Sequence, residues 1–213
     1  MSSSTTPLPA FEGSEVLVTT DGVYMDGSTA PLVRIFDGFV EGAQPTIAPL
    51  VVHLVARKPS SVRLRVDGRV PYHVLTECLR SAELAGVTRN DLIVRNDDGE
   101  HLITLDVPRR DRRSLDSEPM LVIDGGVYEW LPPPGDPTYT DLSRLPTRHE
   151  GLDDAGLVKL LHEQKAQSPN GEIVLLSAAP DLPIAQLVHA LDLTRGDQRA
   201  PLYPRPILTT GPR

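Results

Sequence analysis

The chain has 213 residues, of which 39% are hydrophobic and 23% are charged, and its formal net charge is -8. This length fits either one large domain or two small domains of about 100 residues each. The negative charge argues against general nucleic-acid binding, because neutralising phosphates requires a basic face. The one basic run, PRRDRR at residues 108–113, is typical of a solvated linker.

Cysteine usage and hydropathy limit the environment of the chain. The single cysteine, Cys78, excludes an intrachain disulfide, and its helical spacing from Val74 favours a buried side chain over a reactive thiol. The sequence has no signal-peptide pattern and no run of about 18 apolar residues, so we expect no direct membrane insertion. We expect the periplasmic face of the inner membrane if an anchor was removed or is supplied by a partner, and the cytoplasm if this is the native full-length chain.

The first quarter of the chain begins with hairpin signals. Residues 15–19 are rich in β-formers, Asp21-Gly22 marks a turn, and residues 23–25 restart an extended segment. Residues 32–36 form a further short apolar run. Before Pro59, apolar residues recur at helical spacing and predict a helix: Ile47, Leu50, Val51 and Leu54.

The following stretch predicts a strand, a helix and two more strands. Residues 62–66, VRLRV, alternate with period two, which places the three apolar side chains on one face and the two arginines on the other. A helix opens at Pro71 and ends at Gly86. Residues 92–94 and 101–107 then predict strands. The apolar face of the helix comprises Val74, Leu75, Cys78, Leu79, Ala82 and Ala85.

From residue 120 onward the same order of elements returns. Residues 120–123 and 127–130 predict a hairpin, which is followed by a proline-rich loop at 132–137. Residues 173–176 predict a buried strand, Pro183 opens a helix, and residues 203–208 form an extended segment whose two prolines suit a sheet edge. An earlier helix, between the loop and the buried strand, carries Leu157, Val158, Leu160 and Leu161.

Two pairs of segments predict an internal duplication. Gly22-Val23-Tyr24 matches Gly126-Val127-Tyr128 at an offset of 104 (126 minus 22), and VPYHVL at 70–75 matches LPIAQL at 182–187 at an offset of 112 (182 minus 70). We therefore expect an α+β protein with a tail at 1–13, one module at 14–108, a linker at 109–118 and a second module at 119–213. Each module would be a two-layer β-β-α-β-α-β sandwich.

The residues of both halves carry a family resemblance. The second half, from LVIDGGVYEW through GEIVLLSAAPDLPIAQLVHALD to LYPRPIL, resembles the soluble domain of the ExbD/TolR biopolymer-transport family, and SVRLRVDGRVPYHVL of the first half resembles the same pattern. The resemblance implies a dimerising, protein-binding module of proton-driven envelope transport. Because the family's transmembrane helix and its acidic residue have no match here, their role is not carried over. Two copies in one chain suggest an internal pseudo-dimer.

Residue types that could perform chemistry form no recognisable constellation. The sequence has no phosphate-binding Gly-rich loop, metalloprotease motif or nucleophile elbow, and the six histidines are scattered. Asp153-Asp154 is typical of a helix N-terminus, Asp97-Asp98 of a solvated turn, and Trp130 of a core residue. We therefore predict no catalytic, cofactor-binding or metal-binding residue, and no cofactor.

The final strand of each half is expected at a sheet edge, where a partner could add a strand. In the second half the candidate interface residues are Leu202, Tyr203, Ile207 and Leu208. The alternative is that this strand only completes its own sheet.

The favoured function is a non-enzymatic protein-binding module with envelope energy-transduction or assembly partners, and homo-oligomerisation is left open. The alternatives are a cytoplasmic adaptor with the same fold and an enzyme with an unrecognised site.

Overall fold

The structure, a computed structural model, describes residues 11–42, 45–96, 99–105, 118–124, 127–131, 133, 154–197 and 200–209. Within these ranges the chain forms two mixed β-sheets, a two-stranded ribbon and four helices, in agreement with the predicted α+β class. Most of the predicted tail, linker and proline-rich loop, and the Asp97-Asp98 turn, lie outside the described residues.

The first half contributes seven strands and two helices. The strands are β1 (Ser14–Val18), β2 (Gly22–Met25), β3 (Val33–Phe36), β4 (Phe39–Val40), β5 (Ser61–Asp67), β6 (Arg89–Asn96) and β7 (Gly99–Leu105). The helices are α1 (Ala48–Arg57) and α2 (Tyr72–Leu84).

The second half contributes the remaining elements. The strands are β8 (Met120–Asp124), β9 (Val127–Leu131), β10 (Ile173–Ala178), β11 (Gly196–Asp197), β12 (Ala200–Pro201) and β13 (Arg205–Leu208). The helices are α3 (Asp154–Gln167) and α4 (Ile184–Arg195). Of the helices that the structure describes, none is both long enough and apolar enough to cross a bilayer.

The four strands of the second sheet, in the order β9-β8-β10-β13, correspond to four adjacent strands of the first, β2-β1-β5-β6. The first sheet runs β4-β3-β2-β1-β5-β6-β7 and the second runs β13-β10-β8-β9. In the first, β2 is antiparallel to β1, while β1, β5 and β6 are mutually parallel. In the second, β9 is antiparallel to β8, while β8, β10 and β13 are mutually parallel. As predicted, β7 and β13 lie at the ends of their sheets.

Strand β5 shows how the sequence pattern becomes structure. Val62, Leu64 and Val66 are buried in the core, as their alternation predicts. Arg63 points to the opposite face, yet only 5% of it is exposed, and its guanidinium lies 4.2 Å from the centroid of the Phe11 ring. Alternation therefore predicted the direction of this side chain but not its burial.

The hairpins at the start of the two halves are equivalent in structure, but their equivalent residues are not the ones that the Gly-Val-Tyr match aligns. Val18 pairs with Val23 in the first hairpin, and Ile123 pairs with Tyr128 in the second. The structural offset is therefore 105 (123 minus 18), one residue more than the predicted 104. A slip of one residue moves each side chain to the other face of a strand. The Gly-Val-Tyr alignment equates Leu17 with Leu121. Accordingly, Leu17 is 42% exposed, whereas Leu121 is fully buried.

One apolar core runs through both halves. It includes Leu64 and Leu92 from the first sheet together with Leu187 and Leu191 from α4. Helix α4 contacts β5, β6 and α2 of the first half as well as β13 of its own half. The two halves thus bury apolar surface against each other.

Candidate interface between the two halves

Helices α2 and α4 both begin directly after a proline. Pro71 has φ -65° and ψ 148°, Pro183 has φ -60° and ψ 135°, and no side chain caps either helix. The first backbone N–H groups of a helix have no partner inside it and need acceptors elsewhere. Because proline offers no capping oxygen, those acceptors must come from another segment.

The acceptors for α2 come from the second half of the chain. The backbone N–H of Tyr72 donates to the carbonyl oxygen of Leu182 at 2.8 Å. The N–H of His73 donates to the carbonyl oxygen of Pro180 at 2.9 Å. The second half therefore supplies the cap of a first-half helix.

The acceptors for α4 come from the first half in return. The N–H of Ile184 donates to the carbonyl oxygen of Val70 at 3.0 Å, and the N–H of Ala185 donates to that of Gly68 at 2.8 Å. Each half thus caps the other half's helix.

These four bonds are related by the offset that links the two halves. Tyr72 and Ile184 are 112 positions apart (184 minus 72), as are Val70 and Leu182 (182 minus 70). Exchanging the halves therefore turns each bond into another bond of the set. An antiparallel bridge between Pro71 and Pro183 lies at the centre. We call segments 68–73 and 180–185 the seam, and its bonds have the pattern of a local twofold axis.

Side chains on one side of the seam reinforce the backbone pairing. The Nδ1 atom of His73 lies 2.7 Å from the Pro180 carbonyl oxygen. Because a carbonyl can only accept, Nδ1 carries the proton in this contact. The Phe39 ring packs on the imidazole with 5.0 Å between ring centroids. Phe39 itself is 67% exposed, so strand β4 presents an aromatic side chain to solvent beside the seam.

Tyr72 joins the start of α2 to the end of the second sheet. Its hydroxyl donates to the carbonyl oxygen of Thr209, directly after β13. Burial raises the pKa of Tyr72 far above its usual range, so the phenol stays a donor. The contact ties the last described strand to the first half.

In each half, one carboxylate connects strand and helix segments. Asp154, the first residue of α3, accepts from the Tyr128 hydroxyl at 3.2 Å and lies 2.7 Å from Nε2 of His189. Asp26 lies 2.6 Å from the Arg57 guanidinium and also faces His53. Asp154 therefore bonds to β9 and α4, a role in addition to the predicted one at the helix start. Asp153 lies outside the described residues.

Two residues singled out in the sequence lie in the core. Cys78 is fully buried, and burial, with a smaller effect of the Glu77 charge, raises the pKa of its thiol far above the usual range. Trp130 is 5% exposed, and its ring lies 5.7 Å from that of Tyr203 between centroids. Among the residues that the structure describes, no three His, Cys, Asp or Glu side chains come together in a way that could hold a metal ion.

The candidate interface strand at the end of the chain is buried by its own chain. All four predicted side chains are at most 5% exposed: Leu202, Tyr203, Ile207 and Leu208. Another protein could reach this strand only along its backbone edge. Replacing Ile207 by a charged residue would place an uncompensated charge in the interior, so such a variant would report on folding rather than on an interface.

Sequence reasoning did not identify the seam, although its signal is present in the sequence. The Val-Pro and Leu-Pro pairs that precede α2 and α4 predict the repeat and the two helix starts. A proline in the place of a cap, found twice, indicates helix starts that need external acceptors.

Comparisons with protein-family models, with curated proteins and with solved structures found no match.

Proposed function

We propose that the chain is a non-enzymatic protein-binding module of the ExbD/TolR soluble type, in which two β-β-α-β-α-β sandwiches pack as an internal pseudo-dimer. The reciprocal capping of α2 and α4 is the observation that carries the pseudo-dimer, and the ExbD/TolR type rests on the sequence resemblance. Each half has N–H donors at a helix start that bond to carbonyl groups of the other half. Such reciprocal contacts are typical of the interface of a twofold dimer.

Matching residue rows across the two sheets support the duplication. In the first sheet, Leu64 lies between Val16 and Leu92. In the second sheet, Leu176 lies between Leu121 and Leu208. Val16 and Leu121 are related by the hairpin offset of 105 and Leu64 and Leu176 by the seam offset of 112, whereas Leu92 and Leu208 are 116 positions apart (208 minus 92). All six residues are in the core. The helices agree, since α1 buries Leu50 and Leu54 while α3 buries Leu157 and Leu161.

The contacts that titratable side chains make within the protein support a binding role rather than catalysis. The His73 imidazole faces a backbone carbonyl, and Cys78 is sealed in the core. A general base or nucleophile must instead reach a substrate atom. These side chains hold elements together.

A cleavable linker tests the pseudo-dimer. A protease site placed at residues 109–117 would be cut in the folded, full-length protein, and the mass in solution would be measured by light scattering during size exclusion. We expect the two fragments to stay together as one particle with the mass of a single chain. Separation of the fragments, or a dimer of whole chains that exchanges halves, would refute an internal pseudo-dimer.

Partner capture tests the binding role. The tagged full-length chain would be crosslinked in its source cells, and captured proteins would be identified by mass spectrometry together with the compartment of the chain. Under the proposal, a membrane protein of a proton-driven envelope system is enriched and the chain is found at the periplasmic face of the inner membrane. Enrichment of soluble cytoplasmic assembly proteins would favour the adaptor alternative.

A further inference from the structure

The outer edge of β9 carries backbone groups without partners among the described residues. Leu175 N–H donates to Pro119, and Ala179 N–H donates to Ile123, so the odd-numbered residues of β8 bond to β10. The even-numbered residues of β8 then bond to their β9 partners at 127, 129 and 131. The N–H and C=O groups of Tyr128 and Trp130 therefore point away from β8, and no described residue pairs with them.

The corresponding edge in the first half is occupied. Val23 stands opposite Val18 as Tyr128 stands opposite Ile123, and the carbonyl of Val23 accepts from Leu32 at 2.7 Å. Strand β3 lies there, antiparallel to β2. The molecule thus shows that this type of edge accepts one more antiparallel strand.

The opposite end of the second sheet is chemically unsuited to strand addition. Arg205 N–H donates to Glu172, and Thr209 N–H donates to Leu176, so Pro206 and Leu208 present their backbone outward. Pro206 has no N–H to donate, and proline on an edge strand blocks pairing. Of the two ends, β9 is therefore the one that can receive a strand.

The side chains of β9 restrict the occupant. Exposed Glu129 lies between the half-buried Val127 and Leu131 on the outer face of the sheet. Two copies paired symmetrically through β9 in the register centred on Glu129, which pairs all five residues of the strand, would place Glu129 opposite Glu129, which is unfavourable. In a chain of net charge -8, this strand instead favours a partner that carries a basic residue flanked by apolar ones.

A close contact in the first half further limits the fit. A Cβ atom at Gly22 would lie 2.8 Å from Cβ of Pro31 and 3.0 Å from the Val33 oxygen. The equivalent residue in β9, at the offset of 105, is Val127. Because valine has a Cβ atom, a strand placed on β9 as closely as β3 lies on β2 would clash with it. The partner must therefore lie at regular strand spacing, without a proline at this point.

We infer that β9 binds an extended segment of a partner protein by antiparallel strand addition, and that this segment alternates apolar and basic side chains. The inference rests on the proposed protein-binding function and names the surface that performs it. Backbone pairing supplies the affinity, and the charge of Glu129 selects the segment.

Amide hydrogen exchange of the full-length protein provides the first test. In the free protein, the amides of Tyr128 and Trp130 should exchange at least about tenfold faster than those of Val122 and Glu129, because only the N–H groups of Val122 and Glu129 bond between β8 and β9. Equal protection of both sets would show that the edge is already occupied within the chain and would overturn the inference.

A defined peptide provides the second test. The probe is capped Leu-Val-Arg-Ile-Phe, the sequence at 32–36, with a Gly-Ser-Gly-Ser tail for solubility. Its binding should protect the Tyr128 and Trp130 amides at least about tenfold and should shift their NMR signals most. A peptide N-methylated at the amides that would face β9 should not bind. Shifts centred on β13, or no binding at all, would overturn the inference.

Charge reversal provides the matched controls. Replacing Arg by Glu in the peptide should weaken binding about two- to fivefold, the range expected for one cross-strand pair. In the Glu129→Lys protein the preference between the peptides should reverse, whereas Glu163→Lys on the exposed face of α3 should leave it unchanged. If the cleaved halves stay together but the peptides do not bind to β9, the strand-addition inference is wrong and the pseudo-dimer is still supported. If the halves separate, the proposed function fails independently.

Discussion

Tyr203 shows how a single side chain couples the second half to pH. It is 2% exposed, and its ring packs against Trp130 and beneath the Lys165 ammonium, which lies 5.4 Å from the ring centroid. Burial raises the pKa of Tyr203 to about 12 from the usual value of 10.0. The folded protein therefore disfavours the phenolate relative to the unfolded chain.

This shift predicts an alkaline loss of stability. Because the unfolded chain ionises first, the stabilisation is complete below pH 10 and is lost as the pH rises toward 12. Tyr203→Phe keeps the ring and removes the ionisation. Between pH 9 and 11.5, its free energy of unfolding should fall less than that of the native protein, by on the order of 1–2 kcal/mol. Urea unfolding at both pH values measures this difference, and parallel declines would contradict the assignment.

Burial also decides which residues of the two hairpins correspond. The letters Gly-Val-Tyr align Tyr24 with Tyr128, but Tyr24 lies on the outer face with its hydroxyl on Asp21, whereas Tyr128 points inward to Asp154. Residue identity alone was sufficient to predict the repeat. The correct register needed the faces of the strands, which only the packed sheet shows.

At the scale of elements, the helix starts connect local sequence to the interface. A proline before a helix fixes φ but supplies no capping oxygen, so α2 and α4 are complete only when segments 68–70 and 180–182 lie against them. Helix formation and docking of the halves are therefore coupled.

A pair of proline variants tests this coupling. Proline is tolerated in the first helical turn. Ala185→Pro removes the N–H that donates to Gly68 across the seam, whereas Gln186→Pro removes an N–H that donates to Pro183 within its own turn. We expect Ala185→Pro to lower the free energy of unfolding by about 1–3 kcal/mol more than Gln186→Pro, since it leaves a seam carbonyl unpaired. Equal losses in urea unfolding would show that the seam bond contributes nothing.

Most elements with strong periodicity were predicted from the sequence. The alternation of β5 and the helical spacing of α1, α2, α3 and α4 each gave the right element type, with boundaries that differ by a few residues. The strand β4 was missed because two residues, Phe39 and Val40, are too short to show a period. Its pairing with β3 depends on the Asp37-Gly38 turn, where both residues have positive φ.

At the scale of the whole molecule, the continuous core makes the halves interdependent. Helix α4 packs on β5 and β6, and Tyr72 of the first half bonds to Thr209 of the second. Two independent domains would each bury their apolar faces separately. Here part of each half's apolar surface is covered by the other.

We therefore expect the chain to unfold in one cooperative transition. Trp130, the only tryptophan, reports on the second half through fluorescence, and a ¹⁹F-labelled Phe39 would report on the first. The two urea midpoints should coincide in the native protein. The seam variant Ala185→Pro should move both midpoints together. Two separated transitions in the native protein would contradict this prediction.

The sequence by itself determined the α+β class and predicted the repeat, because apolar periodicity, turn residues and the recurring Gly-Val-Tyr and Val/Leu-Pro pairs are local properties of the chain. Only the tertiary structure decided the hairpin register, the burial of Leu202, Tyr203, Ile207 and Leu208, and the reciprocal capping across the seam. Each of these depends on which distant segment covers a face or accepts a hydrogen bond. That choice is made when the two halves pack together, since a buried backbone N–H takes its partner from whatever segment lies nearest in space.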